Sequence, residues 1–172
     1  MKIFIPDIYQ KSIFTINYDK LKKKGIKCLL FDLDNTISPA KEVVLCKKTK
    51  KLLDKLKKDF KIIIFSNNFP KRIAKFGIYY GVDVSCVCLK PFKYKYKYIL
   101  KKYNFKKDEV AAIGDQLLTD ILGGNKMKIL TILVDPMTLI DEKETFLNRQ
   151  IEKAIFKNFK KKDILVKGRY YE

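Results

Sequence analysis

The chain has 172 residues, 47% of them apolar, which fits one globular domain with a substantial core and excludes a disordered chain. Its 38 Lys and Arg against 19 Asp and Glu give a formal net charge of +19, and it holds no histidine. His-based zinc sites, Ser-His-Asp triads and Cys-His dyads are thereby excluded. The charge has two readings: attraction to an anionic partner such as nucleic acid, a membrane surface or a phosphorylated substrate, or a lysine-rich background that serves solubility.

Residues 1–25 lack a clean period and are expected to form an arm packing on or beside the core. Its apolar residues Ile3, Phe4, Ile8, Tyr9, Ile13 and Phe14 either pack on the domain or touch a membrane. The opening Met-Lys-Ile-Phe-Ile meets Pro6 and Asp7 at once, which is no signal-peptide core, so a cytoplasmic protein is expected, with peripheral contact at the inner face of the cell membrane as an extension. Tyr18–Lys24 reads as a brief helix, with Asn17 as N-cap and Gly25 as stop. Ile26–Leu33 is the first strand, and its continuous apolar run suits a strand covered on both faces.

Leu45, Thr49, Leu52, Leu53, Leu56 and Phe60 then share one helical face. Lys61–Ser66 is a second buried strand. Pro70 opens a helix stopping near Gly77 or Gly81, and either Ser66 or Asn68 is placed to cap it. Val84–Leu89 reads as a third strand. Lys93–Tyr98 alternates Lys and Tyr, as a strand would, but Tyr94, Tyr98, Leu100 and Tyr103 also line a helical face after Pro91, and a helix is the reading adopted. Val110–Gly114 is a fourth strand, Leu117–Leu122 a helix ended by Gly123-Gly124, Ile129–Val134 a fifth strand, and Thr145–Phe159 a helix. The domain is expected to span 26–160, followed by a basic tail at 161–172. Cys28, Cys86 and Cys88 fall in apolar runs and read as reduced, buried thiols.

Alternating strands and helices imply an α/β fold: a Rossmann-like three-layer α/β/α sandwich around a mainly parallel five-stranded sheet. In such sheets the site lies beyond the carboxyl ends of the strands. The residues delivered there are Asp32, Asp34 and Thr36 after the first strand and Ser66, Asn67 and Asn68 after the second. Lys90 follows the third, and Asp115 and Asp120 follow the fourth. Taken singly each suits a cap or a turn; together they suit phosphoryl transfer through an aspartate. Asp32 is placed to attack phosphorus. Asp34 is placed to protonate the leaving oxygen and then to take a proton from water. Asp32, the Asp34 backbone carbonyl and Asp115 would ligate a hard cation in the manner of Mg²⁺. Thr36 and Ser66, with Asn67 beside it and neighbouring backbone N–H groups, would hold phosphate oxygens, and Lys90 supplies positive charge.

Asp32-Leu-Asp-Asn-Thr36, Ser66-Asn67, Lys90-Pro91 and Gly114-Asp115 resemble the four motifs of the haloacid dehalogenase superfamily. That resemblance implies Asp32 as nucleophile, Asp34 as acid/base, Ser66 and Lys90 as phosphate-binding residues and Asp115 as a Mg²⁺ ligand, with Asp120 as a direct or outer-sphere metal partner. A closer resemblance covers most of the chain. Pro6, Ser12-Ile13, Gly25-Ile26-Lys27, Ser66-Asn67-Asn68, Gly114 through Asp120, Gly123-Gly124-Asn125, Thr145 and Asn148-Arg149 resemble the YqeG family, which is related to mitochondrial phosphatidylglycerophosphate phosphatases. Where that family often carries a bulky aromatic, this chain has Ile37-Ser38-Pro39, at positions expected to face substrate.

Asp32 to Ser66 spans 34 residues and Ser66 to Lys90 spans 24, each filled by one crossover helix, so no cap domain is expected. An open site admits a phosphate carried on something large, a macromolecule or a lipid headgroup. The leading expectation is removal of the terminal phosphate of phosphatidylglycerophosphate, which would place the enzyme in phospholipid biosynthesis. The rivals are a soluble-substrate phosphatase of sugars, nucleotides or phosphoproteins, and a nucleic-acid-binding module built on the basic, aromatic Lys93–Tyr98 run.

Overall fold

In the strand Cys28–Phe31, Leu29 and Phe31 enter one apolar cluster while Cys28 and Leu30 enter another. A strand that buries both faces must sit inside a sheet with helices on either side. The computed structural model, which describes residues 2–40, 42, 44–68, 70–138 and 146–172, has that architecture. In chain order the elements are β1 (Ile8–Gln10), α1 (Tyr18–Lys23), β2 (Cys28–Phe31), α2 (Lys47–Leu56), β3 (Lys61–Phe65), α3 (Pro70–Tyr80), β4 (Asp83–Ser85), α4 (Tyr94–Tyr103), β5 (Val110–Gly114), α5 (Leu122–Met127), β6 (Leu130–Val134) and α6 (Phe146–Lys161). The sheet order is β1-β6-β5-β2-β3-β4, and every pairing is parallel.

Three apolar clusters hold the layers together. Leu53 and Leu56 of α2 and Ile73 and Phe76 of α3 cover Leu29, Phe31, Ile62 and Ile64 on one face. Tyr96 and Ile99 of α4 and Met127 of α5 cover Leu30, Ile63 and Phe65 on the other. Phe159 of α6 closes over Tyr9 and Leu133. The chain leaves β2 outward through β3 and β4, then returns to β5 on the opposite side of β2. The strand order therefore reverses between β2 and β5, which is where ligand crevices form in such sheets.

The sheet has six strands rather than five, because the arm supplies β1. Three residues are too few to show a period, and what fixes β1 is non-local. Backbone N and Oγ1 of Thr131 donate to the Asp7 carboxylate at 2.8 and 2.9 Å, and Asn125 donates to the carbonyls of Ile3 and Ile5 at 2.8 and 2.9 Å. Ile8, Tyr9 and Ile13 of the arm are buried, and Ile3 is exposed. The segment 161–172 also reaches the sheet: Tyr9 and Tyr171 exchange backbone hydrogen bonds at 2.9 and 2.8 Å.

Other expectations meet the structure in detail. Asn17 caps α1 through Lys20 N at 3.0 Å. Lys93–Tyr98 enters a helix as expected, but its buried face carries Tyr96 and Ile99, while Tyr94 and Tyr98, expected on the apolar face, are exposed because that face turns away from the sheet. The third strand stops at Ser85, short of the expected Leu89, because Val87 and Leu89 adopt left-handed φ of 48° and 52°, which no strand accommodates. Gly123 and Gly124 lie inside α5 rather than ending a helix. A Cβ on Gly123 would sit 2.7 Å from Tyr96 Oη, so the missing side chain lets α5 close on α4. Cys28 and Cys88 are buried, Cys86 is half-buried, and all are free thiols. Thr145 lies outside the described residues.

The Asp7–Thr131 pairing is the anchor of β1, and a charged hydrogen-bonded group in a half-buried setting contributes about 2 kcal/mol. Asp7→Ala is expected to lower unfolding stability by about that amount, read as a shift of the urea midpoint at unchanged slope.

Candidate active site

Just past β2, Asp32 N continues the ladder by donating to the Ile113 carbonyl at 2.9 Å. The chain then turns sharply. Backbone N–H groups of Ile37 and Ser38 both reach the Leu33 carbonyl at 3.1 Å, and Asn35 takes a left-handed φ of 59° that Asn tolerates better than most residues. The turn brings the Thr36 hydroxyl 3.5 Å from Asp32 Oδ2 and 3.2 Å from Asp115 Oδ1. Ile37 and Ser38, expected to face substrate, are fully buried instead, with Ile37 packed in the main apolar cluster. The tight turn folds them under the site rather than over it.

Lys90 arrives from the loop after β4. Asn67 holds that loop: Lys90 N donates to Asn67 Oδ1 at 2.8 Å, and Asn67 Nδ2 donates to the Lys90 carbonyl at 3.3 Å. The Lys90 ammonium lies 2.5 Å from Asp32 Oδ1 and 2.6 Å from Asp120 Oδ1, with 3% of its side chain exposed. Asp120 is set by a π-helical turn over Leu117–Ile121 and accepts from Gln116 N at 3.2 Å. It folds back over the end of β5, where any Cβ on residue 114 would collide with it, so Gly114 is required there.

Asp115 is fully buried and doubly held. Arg149 of α6 donates to its carboxylate and, at 3.0 Å, to its backbone carbonyl. Glu152, one turn on, accepts from Arg149 at 3.1 Å and from Leu118 N at 3.0 Å. Asp34 is half-buried, and its carboxylate accepts from the Asn68 amide. Asn68 N in turn donates to Ser66 Oγ at 3.1 Å, so these two residues tie the ends of β2 and β3 together.

The electrostatics follow from burial. Desolvation pushes the Asp32 carboxyl upward; Lys90 opposes this, while Asp120 and Asp115 add to it. Desolvation likewise raises Asp115 against the pull of Arg149. Burial works against the charged form of Lys90, but Asp120 and Asp32 outweigh it, and the ammonium stays protonated. Glu152 is pushed up to about 7 by burial, despite the Leu118 N–H and Arg149.

Carboxylate oxygens of Asp32, Asp115 and Asp120 lie within 4.8 Å of one another. Such a set of hard oxygen donors, without nitrogen or sulfur, fits a hard divalent cation that keeps part of its water. Burial and the neighbouring acids push Asp32 and Asp115 toward their neutral forms despite Lys90 and Arg149, so a divalent cation bound here would favour the charged carboxylates. The Asp34 carboxylate stands outside this group and is engaged by the Asn68 amide instead.

The structure thus gathers Asp32, Thr36, Lys90, Asp115 and Asp120 into one contact network. Ser66 is buried at the neighbouring strand end, and the Asn67 amide, read from sequence as a phosphate contact, is engaged with the Lys90 backbone. Asn68, read from sequence as a candidate cap of α3, instead joins Asp34 to Ser66, while Arg149 and Glu152 carried no role at the site in the sequence reading. A signal for Arg149 was present: it is one of three arginines in a lysine-rich chain, with an acid three residues on.

Comparison with known proteins bears on this site directly. A family model described as haloacid dehalogenase-like hydrolase matches residues 10–128, which include every residue of the contact network. The chain belongs to that family. Among haloacid dehalogenase-like proteins it is similar to “Probable phosphatase YqeG” of Bacillus subtilis, 35% identical over 94% of each chain. It is also 25% identical to “Phosphatidylglycerophosphate phosphatase 1, chloroplastic/mitochondrial” of Arabidopsis thaliana, over 93% of this chain and 49% of that protein. A solved structure from Listeria monocytogenes shares the fold, with a TM-score of 0.55 at 22% identity, covering 69% of this chain and 84% of the other. The protein is therefore an enzyme, a hydrolase of phosphoric monoesters. As the sequence spacing implied, the two crossovers that elsewhere in the superfamily carry caps hold one helix each, α2 and α3, among the described residues.

Because Arg149 holds both the carboxylate and the backbone carbonyl of Asp115, its loss acts on the position of that carboxylate. Arg149→Ala is expected to lower kcat about 10- to 100-fold and to raise the cation concentration needed for half-maximal rate. Arg149→Lys is expected to recover part of the loss, both read by titrating Mg²⁺ into the hydrolysis of a soluble phosphoester.

Proposed function

We propose that the protein is a Mg²⁺-dependent phosphatase that works through an aspartyl-phosphate on Asp32 and converts phosphatidylglycerophosphate to phosphatidylglycerol. The observation that carries the chemistry is the convergence of Asp32, Asp115 and Asp120 around a buried, protonated Lys90 at the point where the strand order reverses. Asp32 retains solvent access, with 12% of its side chain exposed, while Lys90 and Asp120 behind it are almost wholly buried. A nucleophile at the mouth with its charge partners beneath it is what in-line attack on an arriving phosphate requires.

In the first step an Asp32 oxygen forms a bond to phosphorus as the ester P–O bond breaks. The departing oxygen takes a proton from Asp34, which the Asn68 amide orients. In the second step water attacks the phosphorus, Asp34 takes the water proton back, the Asp32–phosphorus bond breaks, and inorganic phosphate leaves. Lys90 and Ser66 meet the phosphate oxygens. Thr36 acts one layer behind, between Asp32 and Asp115, and Asn67 acts on the backbone that presents Lys90. Asp32, Asp115 and the Asp34 carbonyl would hold Mg²⁺, with Asp120 as a direct or outer partner. A cation held there would supply positive charge against the phosphate dianion, whose approach the neighbouring acids otherwise oppose.

Two observations support a lipid substrate. Among the described residues each crossover beside the site holds a single helix, which suits a phosphate on a large carrier. The likeness to the Arabidopsis phosphatidylglycerophosphate phosphatase spans 93% of this chain.

The test is phosphate release from phosphatidylglycerophosphate in mixed micelles with Mg²⁺. Turnover is expected, abolished by EDTA and restored by Mg²⁺; silence on the lipid beside good turnover of sugar or nucleotide phosphates would transfer the assignment to a soluble substrate. Asp32→Asn is expected to cost about 10⁴-fold or more with the fold intact, judged by circular dichroism. Asp34→Asn is expected to cost about 10²- to 10⁴-fold on an alkyl phosphate and much less on p-nitrophenyl phosphate, whose leaving group needs no proton.

A further inference from the structure

The loop that delivers Lys90 does not end its work at the site. Leu89, next to Lys90, is 57% exposed; Phe92 is 66%, Tyr94 71% and Tyr98 50% exposed. Tyr94 and Tyr98 are one helical turn apart on the outer face of α4, above the buried Tyr96 and Ile99. Four large apolar side chains held in water within ten residues are costly unless something covers them. Ile78 and Tyr79 are equally exposed, but they sit at the far end of α3, away from the carboxyl ends of the strands.

The charge around this patch has one sign. Between Asp83 and Asp108 the chain has no carboxylate side chain and eight lysines, of which only Lys90 is buried in the site. Lys93, Lys97 and Lys101 form a stripe beside the tyrosines, lining a cleft of about 420 Å³ that Lys107 and Lys126 complete. Among the described residues none of the three stripe lysines has an ion-pair partner. Lys95 lies 5.7 Å from the centre of the Tyr98 ring. Exposed aromatic and aliphatic tips flanked by lysines are the composition of a segment that sits at the boundary between headgroups and acyl chains. Single-stranded nucleic acid would instead call for stacking rings within a basic groove, and Leu89 has no ring to offer.

We propose that Leu89, Phe92 and the outer face of α4 form a docking surface for an anionic phospholipid bilayer, which seats the mouth of the active site on the membrane. Phe92, Tyr94 and Tyr98 enter the interface, and Lys93, Lys97 and Lys101 pair with anionic headgroups. This deepens the lipid-phosphatase reading, on which it rests for its purpose but not for its test.

The test is co-sedimentation of the full chain with vesicles of phosphatidylcholine alone or mixed with phosphatidylglycerol. Binding to the mixed vesicles, absent with phosphatidylcholine alone, is expected for both the wild type and Asp32→Asn. The triple variant Phe92→Ser, Tyr94→Ser, Tyr98→Ser is expected to lose at least about 10-fold in partitioning. The variant Lys93→Gln, Lys97→Gln, Lys101→Gln is expected to lose on the order of 100-fold at low salt. Both variants are expected to hydrolyse p-nitrophenyl phosphate as the wild type does, which shows them folded. Variants that bind mixed vesicles like the wild type overturn the proposal, as does tighter, salt-sensitive binding of a single-stranded RNA oligonucleotide that the same substitutions abolish. Vesicle binding without phosphate release from phosphatidylglycerophosphate sustains the docking surface and removes the lipid-substrate reading. Release from micelles without vesicle binding does the reverse.

Discussion

One ammonium group holds the centre of this molecule. Lys90 lies within hydrogen-bond distance of Asp32 and Asp120, with almost none of its side chain in water. A lone buried ammonium would shed its proton, and a lone pair of buried carboxylates would take one up. Here each makes the other tolerable, so the ends of β2 and β5 and the loop after β4 are fastened by charge where packing alone could not reach. A third carboxylate, Asp115, needs its own cation, and Arg149 reaches in from α6 to supply it.

The supporting groups around these charges are as specific as the charges themselves. Gly114 has no side chain because Asp120 occupies the space where one would go. Asn67 binds the backbone on both sides of the Lys90 Cα, which fixes where the ammonium can point. Asn68 joins Asp34 to Ser66 through its side chain and backbone N–H. A site assembled from four separate strand ends has four chances to drift, and each of these contacts removes one of them.

What could be read in the sequence was whatever is encoded locally. The apolar runs of β2, β3, β5 and β6 announced themselves, and their polar ends placed Asp32, Ser66, Asp115 and Asp120 at one edge. That α4 is a helix was recoverable despite the Lys-Tyr alternation, but its buried face was not: Tyr96 and Ile99 pack inward, where Tyr94 and Tyr98 had been expected. What could not be read was set by distant contacts. β1 exists because Asp7 meets Thr131; Arg149 matters because α6 crosses the end of β5; Ile37 is buried because the turn after Asp34 closes more tightly than residue type alone conveys. The early end of β4 depended on left-handed backbone at Val87 and Leu89, residue types that give no hint of it.

The sixth strand also bears on how the chain is made. β1 is synthesised before the other five strands, yet its neighbour in the sheet is β6 and the partner on its outer side is Tyr171. Tyr9, whose buried apolar neighbours run from Leu117 to Leu165, therefore leaves the ribosome with nothing to cover it until most of the chain has followed. Over that interval the arm is a short apolar segment with unpaired backbone, the kind of nascent species that chaperones hold and that associates with its own copies when they do not. The bridge to Tyr171 ends that exposure and then occupies the outer backbone of Tyr9, so the last contact to form also closes the edge to any other strand.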